Sequence, residues 1–428
     1  MHTKKNTSRQ MKRILNRGFL VLIALQVSLA SLARTIEVGE TCEVKSVKKA
    51  VEIAEKGDVV LVRKGLYKEI DILVDKPITI KGEPGAVLDG QMISEIIVVK
   101  SDSVTVDGLE LINVGSSNIR DYSAIRVRSS KHFVLKNLII RKPFFGIYIE
   151  KSSYGKLLNN EIYGDAVSEF FAGNGIHLWY AHHIEIRNNI VDQVRDGIYL
   201  EFSNFCTIGG NISRNNVRYG LHFMFSNDDV VTHDRYENNG AGIAIMFSKN
   251  MEASYNHFQD NWGPAVYGML LKEVYDGVIT NNVFKRNTTG IYIEGCTRVI
   301  YEHNDFESNG WAINSRGANY ENKFTSNNFL NNSFDVAYTG SINENTFNGN
   351  YWSDYKGYDL DKDGVGDEPY RPVKLFSYMV NRSPEAIILL RSLFVDLVEF
   401  AEKVSPVITP DALQDEIPRM KIVTHDRN

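Results

Sequence analysis

Gly146-Ile147-Tyr148-Ile149-Glu150, Gly197-Ile198-Tyr199-Leu200-Glu201, Gly220-Leu221-His222-Phe223-Met224, Gly242-Ile243-Ala244-Ile245-Met246 and Gly290-Ile291-Tyr292-Ile293-Glu294 are five versions of one phrase. Each opens on a small residue and then alternates, which is the two-residue period of a strand and not the 3.6-residue period of a helix. With the looser matches included, the small residue falls at Ala124, Gly146, Gly175, Gly197, Gly220, Gly242, Ala265, Gly290 and Ala312, in steps of 22 to 29 residues. Asn pairs punctuate the intervals, among them Asn159-Asn160, Asn188-Asn189, Asn215-Asn216 and Asn281-Asn282. Three short strands and their corners fit into such a step at ~3.3 Å per residue. Asparagine tolerates the left-handed backbone of a corner and can stack its amide along successive coils. Leucine-rich and helical repeats of similar period do not fit, because no repeat holds a helix-length stretch. The predicted fold is all-β: a right-handed parallel β-helix.

Outward from the repeats, the 428-residue chain divides into four parts. Residues 1–33 read as a secretory signal, with Lys4, Lys5, Arg9, Lys12, Arg13 and Arg17 ahead of an apolar run from Phe19 to Leu25 and small residues near Ala33. That run is shorter than the ~20 residues a spanning helix needs. The expected location is therefore periplasmic. Residues 34–347 form the β-helix, opened by an amphipathic segment, Ser46–Glu55, suited to cap the first coil. Residues 348–375 are an acidic loop element. Residues 376–428 are a C-terminal helix and tail, with Ser383 as N-cap, Pro384 in the first turn and an apolar helix to about Val404. Arg391, Asp396, Glu399 and Glu402 argue against that helix spanning a membrane alone; it either packs on the β-helix or docks on a partner.

Charge and cysteine usage exclude several classes. The formal charge of −5 becomes about −11 once the six basic residues of the signal are removed, which argues against nonspecific nucleic-acid binding. Cys42, Cys206 and Cys296 are too few for a disulfide framework and too scattered for a zinc ribbon. Cys206 and Cys296 are expected to be separate buried thiols.

Strand parity then selects the outward residues. Counting the small residue as zero, positions one and three are aliphatic or aromatic with one exception, Gly268, and face the core. Positions two and four point outward. His222 occupies position two, and Met224, Met246 and Met269 occupy position four. Equivalent positions on successive coils lie ~4.8 Å apart, so the three methionines are expected to form a column with His222 on the same face. Thioether and imidazole ligands suit Cu(I) rather than calcium or magnesium. His177 and Glu201 lie farther down that face. A sticky partner surface is the other use of exposed methionine. An enzyme class must be weighed too, because a secreted β-helix suits a polysaccharide lyase, hydrolase or epimerase, which requires clustered carboxylates. Asp228 and Asp229 sit at a corner, and Asp260 and Glu201 are isolated, while Tyr148, Trp179, Tyr199, Tyr267 and Tyr292 could stack on sugars.

After the coils come Asn350-Tyr-Trp-Ser-Asp-Tyr-Lys-Gly357 and an acidic loop in which Asp359, Asp361, Asp363 and Asp367 have the spacing of a calcium loop, with Gly364 at the turn. The twelfth position is Tyr370, where an EF-hand carries a bidentate Glu, so a structural calcium site or a plain acidic turn remains.

Together, the small-residue coils, the run Tyr219-Gly-Leu-His-Phe-Met-Phe-Ser226, its echo Gly242–Ser248 and the segment Asn350–Arg371 make the chain resemble the NosD family, periplasmic copper-handling β-helix proteins of nitrous oxide reductase maturation. The resemblance covers nearly the whole chain after the signal, and its His-Met run is the more specific part. It implies a non-enzymatic role as the periplasmic subunit of an ABC transporter complex, with a permease and ATPase as partners. It also implies transient Cu(I) received from a copper chaperone lipoprotein, nitrous oxide reductase apoprotein as the client, and attachment to the membrane only through the permease. The family's motif matches His222, Met224 and Met246; Met269 rests on the column argument alone.

Overall fold

The computed structural model describes residues 33–117, 119–263, 266–339, 344–390, 392–404 and 413–425. The predicted signal segment lies, up to residue 32, outside the described residues. The chain opens with a strand at Thr35–Val38 and a helix, α1 (Val47–Ile53), whose N-cap Ser46 accepts from the Lys49 N–H. Val47, Ala50 and Val51 face inward, so α1 closes the first coil as the amphipathic pattern predicts.

From there the chain winds as a parallel β-helix. Three sheets of 14, 13 and 12 strands, here A, B and C, run the length of the molecule, and every described pairing between neighbouring strands is parallel. One coil visits A, then B, then C. In the coil that matters most here these strands are Thr207–Gly209, Ile212–Arg214 and Tyr219–Met224. The coils end one strand beyond the expected boundary at residue 347, because Tyr351–Trp352 pairs with Asn328–Leu330 in sheet B.

The small residue that opens each sheet C strand has a steric cause. A Cβ built on Gly220 would stand 2.7 Å from the Gly242 carbonyl oxygen, and one on Gly242 would stand 2.4 Å from the Gly268 carbonyl oxygen. The backbones of successive coils touch there, and a side chain would force them apart. Inward residues form columns. In the C-terminal half these are aromatic: Tyr236, Phe258, Phe284, Phe306, Phe329 and Trp352 stack with centroids 4.0–5.4 Å apart. Each such ring removes apolar surface worth about 1.5–3 kcal/mol.

Buried amides close the corners, as the Asn pairs predict. The Asn189 side-chain N–H donates to Asn211 Oδ1, Asn211 to Asp234, and the series resumes from Asn256 through Asn282, Asn304 and Asn327 to Asn350. Its last rung is Asp415, which accepts from the Gly349 and Asn350 backbone N–H groups, the Asn350 amide and the Trp352 indole. Cys206 and Cys296 are buried and unbridged, as expected.

The tail departs from the expected single helix. It is broken into α2 (Leu375–Arg382), a 3-10 turn at Pro384–Leu389 and α3 (Leu393–Val404). Ser383 precedes the Pro384 turn but makes no side-chain cap bond. Phe376, Val380 and Val395 form a small second core with Phe334 on the last coils. No helix among the described residues is long and apolar enough to cross a membrane.

Candidate functional site

Sheet C carries the predicted copper residues, and register decides which of them share a face. Tyr199, His222 and Ala244 are aligned on successive coils, as are Glu201, Met224 and Met246. Met224 and Met246 are therefore directly stacked, and both are half-buried. His222 lies two residues before Met224 on the same side of the strand, with their Cα atoms about 7 Å apart.

Met269 does not join them. Its register partners are Ile243 and Ile291, it is fully buried, and it belongs to the apolar core. The residue above Met246 is Lys272. The expected phase took Ala265, which lies outside the described residues, as the small residue; the residue that meets the next coil's backbone is Gly268, whose Cβ would stand 2.7 Å from the Gly290 carbonyl oxygen. A shift of three residues is odd, and an odd shift exchanges the two faces of a strand. The methionine column has two members.

His222 is 7% exposed, and neither ring nitrogen has a hydrogen-bond partner. The rings of Tyr199 and Tyr219 each lie 4.7 Å from its own, centroid to centroid. Asp196 Oδ2 faces its Nδ1 at 3.9 Å. Burial pushes the Asp196 carboxyl up, but the hydrogen-bonded Arg218 guanidinium and His222 outweigh it and hold the group at about 2. A buried donor or acceptor left unpaired costs about 1–3 kcal/mol, so an imidazole bare at both nitrogens, on the face that carries two thioethers, is a donor set whose chemistry fits a soft metal ion. His177, two coils below in the same column, is also buried; burial and the Arg195 charge pull it down to about 3, so it is neutral.

The corner beside the methionines has a feature that the sequence reading missed. Tyr180, Phe202, Phe225 and Phe247 stack at 4.8–5.2 Å on successive coils, each with φ between 49° and 54°. The left-handed region is unfavourable for bulky residues, and Ser129, Lys151 and Glu273 occupy the same turn elsewhere. Aromatic residues immediately following the outward strand position on consecutive coils were the available signal.

Two of the carboxylates that the sequence offers for sugar chemistry, Asp229 and Asp260, are engaged elsewhere. Asp229 is buried, and burial raises its carboxyl well above the usual range while it accepts from the Cys206 N–H. Asp260 is held by both ends of the Arg286 guanidinium. A cavity of about 500 Å³ lies farther along sheet C, lined by Glu95, Asp121, Arg126, Tyr148, Glu150 and Trp179 among others. Its buried Arg126 is committed to Glu95 at 2.5 Å.

At the far end, the carboxylates of Asp359, Asp361 and Asp363 converge within 4.8 Å of one another, the arrangement a cation loop requires. Asp367 is not brought into that group; it accepts from the Leu360 N–H. Tyr370, at the twelfth position, packs on Trp352 with ring centroids 5.1 Å apart.

Known proteins resemble this chain in sequence and in fold. Residues 158–357, which include His222, Met224 and Met246, match the family model described as periplasmic copper-binding protein (NosD). Two curated relatives, from Stutzerimonas stutzeri and Pseudomonas aeruginosa, are each 29% identical over 371 residues, covering 82% of this chain and 84% and 86% of theirs; both are named probable ABC transporter binding protein NosD. Among solved structures, a family 28 exopolygalacturonase from Yersinia enterocolitica (TM-score 0.57, 11% identity, 73% of this chain and 79% of that one) shares the fold. So does a lacto-N-biosidase from Eubacterium ramulus (TM-score 0.52, 13% identity, 73% and 68%). At such identities the likeness concerns architecture alone. The chain is similar to the NosD family over residues 158–357 and to both of these relatives along most of its length.

Proposed function

We propose that this protein is a periplasmic copper-binding accessory protein that carries Cu(I) on the outer face of sheet C through His222, Met224 and Met246. The observation that supports it most is the buried His222 imidazole, unpartnered at both nitrogens and beside two stacked, half-buried thioethers. Copper is the cargo here, so a three-ligand, partly open site suits release better than a closed four-ligand cage. The family further supports work with an ABC permease and ATPase, copper received from a lipoprotein chaperone, and delivery to nitrous oxide reductase apoprotein. Export by the N-terminal signal fits that setting.

Anaerobic Cu(I) titration against a chromophoric competitor is the test. Wild type should bind one equivalent, and Met224→Ala/Met246→Ala or His222→Ala should weaken binding at least tenfold; unchanged affinity in both would refute the site. The converging Asp359, Asp361 and Asp363 support a structural calcium ion, and the same titration with calcium, read by melting temperature, should show stabilisation that Asp361→Asn removes.

A further inference from the structure

The column that contains His222 holds a second buried histidine, His177, and each imidazole Nδ1 faces an arginine-held side chain of different chemistry, Asn174 from the histidine's own coil and Asp196 from the coil before. In each case a residue immediately before a strand-opening glycine, Asn174 before Gly175 or Asp196 before Gly197, stands between an arginine of the next coil and the imidazole Nδ1. Asn174 Oδ1 accepts from Arg195 Nε at 3.1 Å, and Asn174 Nδ2 lies 3.1 Å from His177 Nδ1. Arginine only donates, so it fixes the amide oxygen on its own side and turns the amide N–H groups toward His177. Nδ1 of His177 must then accept, and the ring proton sits on Nε2.

At His222 the facing group is a carboxylate contributed by the preceding coil. Asp196 accepts from Arg218 Nε at 2.8 Å and from a second nitrogen of the same guanidinium, and its Oδ2 faces His222 Nδ1. A carboxylate can only accept, so it favours the tautomer with the proton on Nδ1 and leaves the Nε2 lone pair bare. The 3.9 Å separation needs to close by only about 1 Å to become a hydrogen bond. Carboxylate–histidine–metal triads are built this way: the outer carboxylate orients the ring and raises its basicity.

We propose that Asp196, anchored by Arg218, is a positioning residue that makes His222 rather than His177 the copper ligand, bound through Nε2. The inference rests on the copper reading above and adds what selects one imidazole over the other.

The test uses the full-length exported protein labelled with 15N-histidine. Two-bond 15N–1H correlations on the apoprotein report each tautomer, and Cu(I) competition reports affinity. Wild type should show Nδ1–H at His222 and Nε2–H at His177. Asp196→Asn should move His222 to Nε2–H and weaken Cu(I) binding 10–100-fold, with the His177 signals unchanged as the internal check on folding. The Arg195–Asn174 pair shows that this fold accommodates an amide opposite the arginine. Asn174→Asp should shift His177 to Nδ1–H. An Nε2–H proton on His222 in wild type, or full affinity in folded Asp196→Asn, would overturn the proposal. Failure of wild type to bind Cu(I) while the tautomers are as expected would instead overturn the copper reading beneath it.

Discussion

Met269 is packed between Ile243 and Ile291 in a core without solvent access, so truncating it leaves a cavity and not a vacant ligand position. Met269→Ala should destabilise the protein by about 2–5 kcal/mol, seen as an earlier unfolding midpoint in denaturant. Its Cu(I) affinity should equal that of wild type, since the proposed ligands are His222, Met224 and Met246. Loss of affinity in a folded Met269→Ala variant would place that residue in the site after all. The contrast between Met246 and Met269 also shows how far residues could be read from sequence. Parity placed His222, Met224 and Met246 outward because the glycines before them are 22 residues apart and the coil there is of standard length. It failed at Met269 because the register step there, Ile243 to Met269, is 26 residues, and Ala265 and Gly268 both offered a small residue. The inward-facing glycine that the wrong phase required at position 268 was the available sign of error. Burial, tautomer and the approach of Asp196 to His222 were not legible, because they depend on side chains from different coils.

At the scale of the element, the amide ladder explains why Asn recurs at the corners, and it contains one anomaly. Asp234 occupies a rung between Asn211 and Asn256. Burial lifts its carboxyl to about 7, although Asn211 and the Tyr236 hydroxyl donate to it. The folded state therefore keeps a proton that the unfolded chain releases at about pH 4. Between about pH 4 and pH 7 the unfolded state binds fewer protons, so stability from this group falls as pH rises through that window and is level above it. Asp234→Asn supplies the uncharged amide of the neighbouring rungs and removes the slope. Melting temperatures measured from pH 4.5 to 8 should show the variant gaining on wild type by a few degrees toward neutrality. Parallel curves would show that Asp234 is ionised in the fold. The periodic Asn pairs made this ladder readable in advance; the protonation of one rung was not, since it depends on the complete exclusion of water from Asp234.

Across the whole molecule, the two ends of the solenoid are finished differently. At the N-terminal end α1 buries its apolar face on the first coil. At the C-terminal end Asp415 and Tyr370 close the last coil, while α2 and α3 are turned onto the side of sheet C. Only part of the tail's apolar surface is used there: Phe376, Val380 and Val395 point inward, whereas Ile388, Leu393, Leu397 and Phe400 are exposed, Ile388 by 84%. Exposed apolar side chains clustered on one short segment mark an interaction surface. That surface is where the permease partner proposed above would dock. Substituting Leu393, Leu397 and Phe400 together by Glu touches none of the tail's inward residues, so the melting temperature should stay within about 2 °C of wild type. Copurification with the coexpressed permease and ATPase should fall at least tenfold, while Cu(I) binding by the isolated protein should be unaffected because the proposed site lies on coils remote from the tail. Full recovery of the complex with the triple variant would detach the tail from docking and leave its exposed apolar face to some other partner.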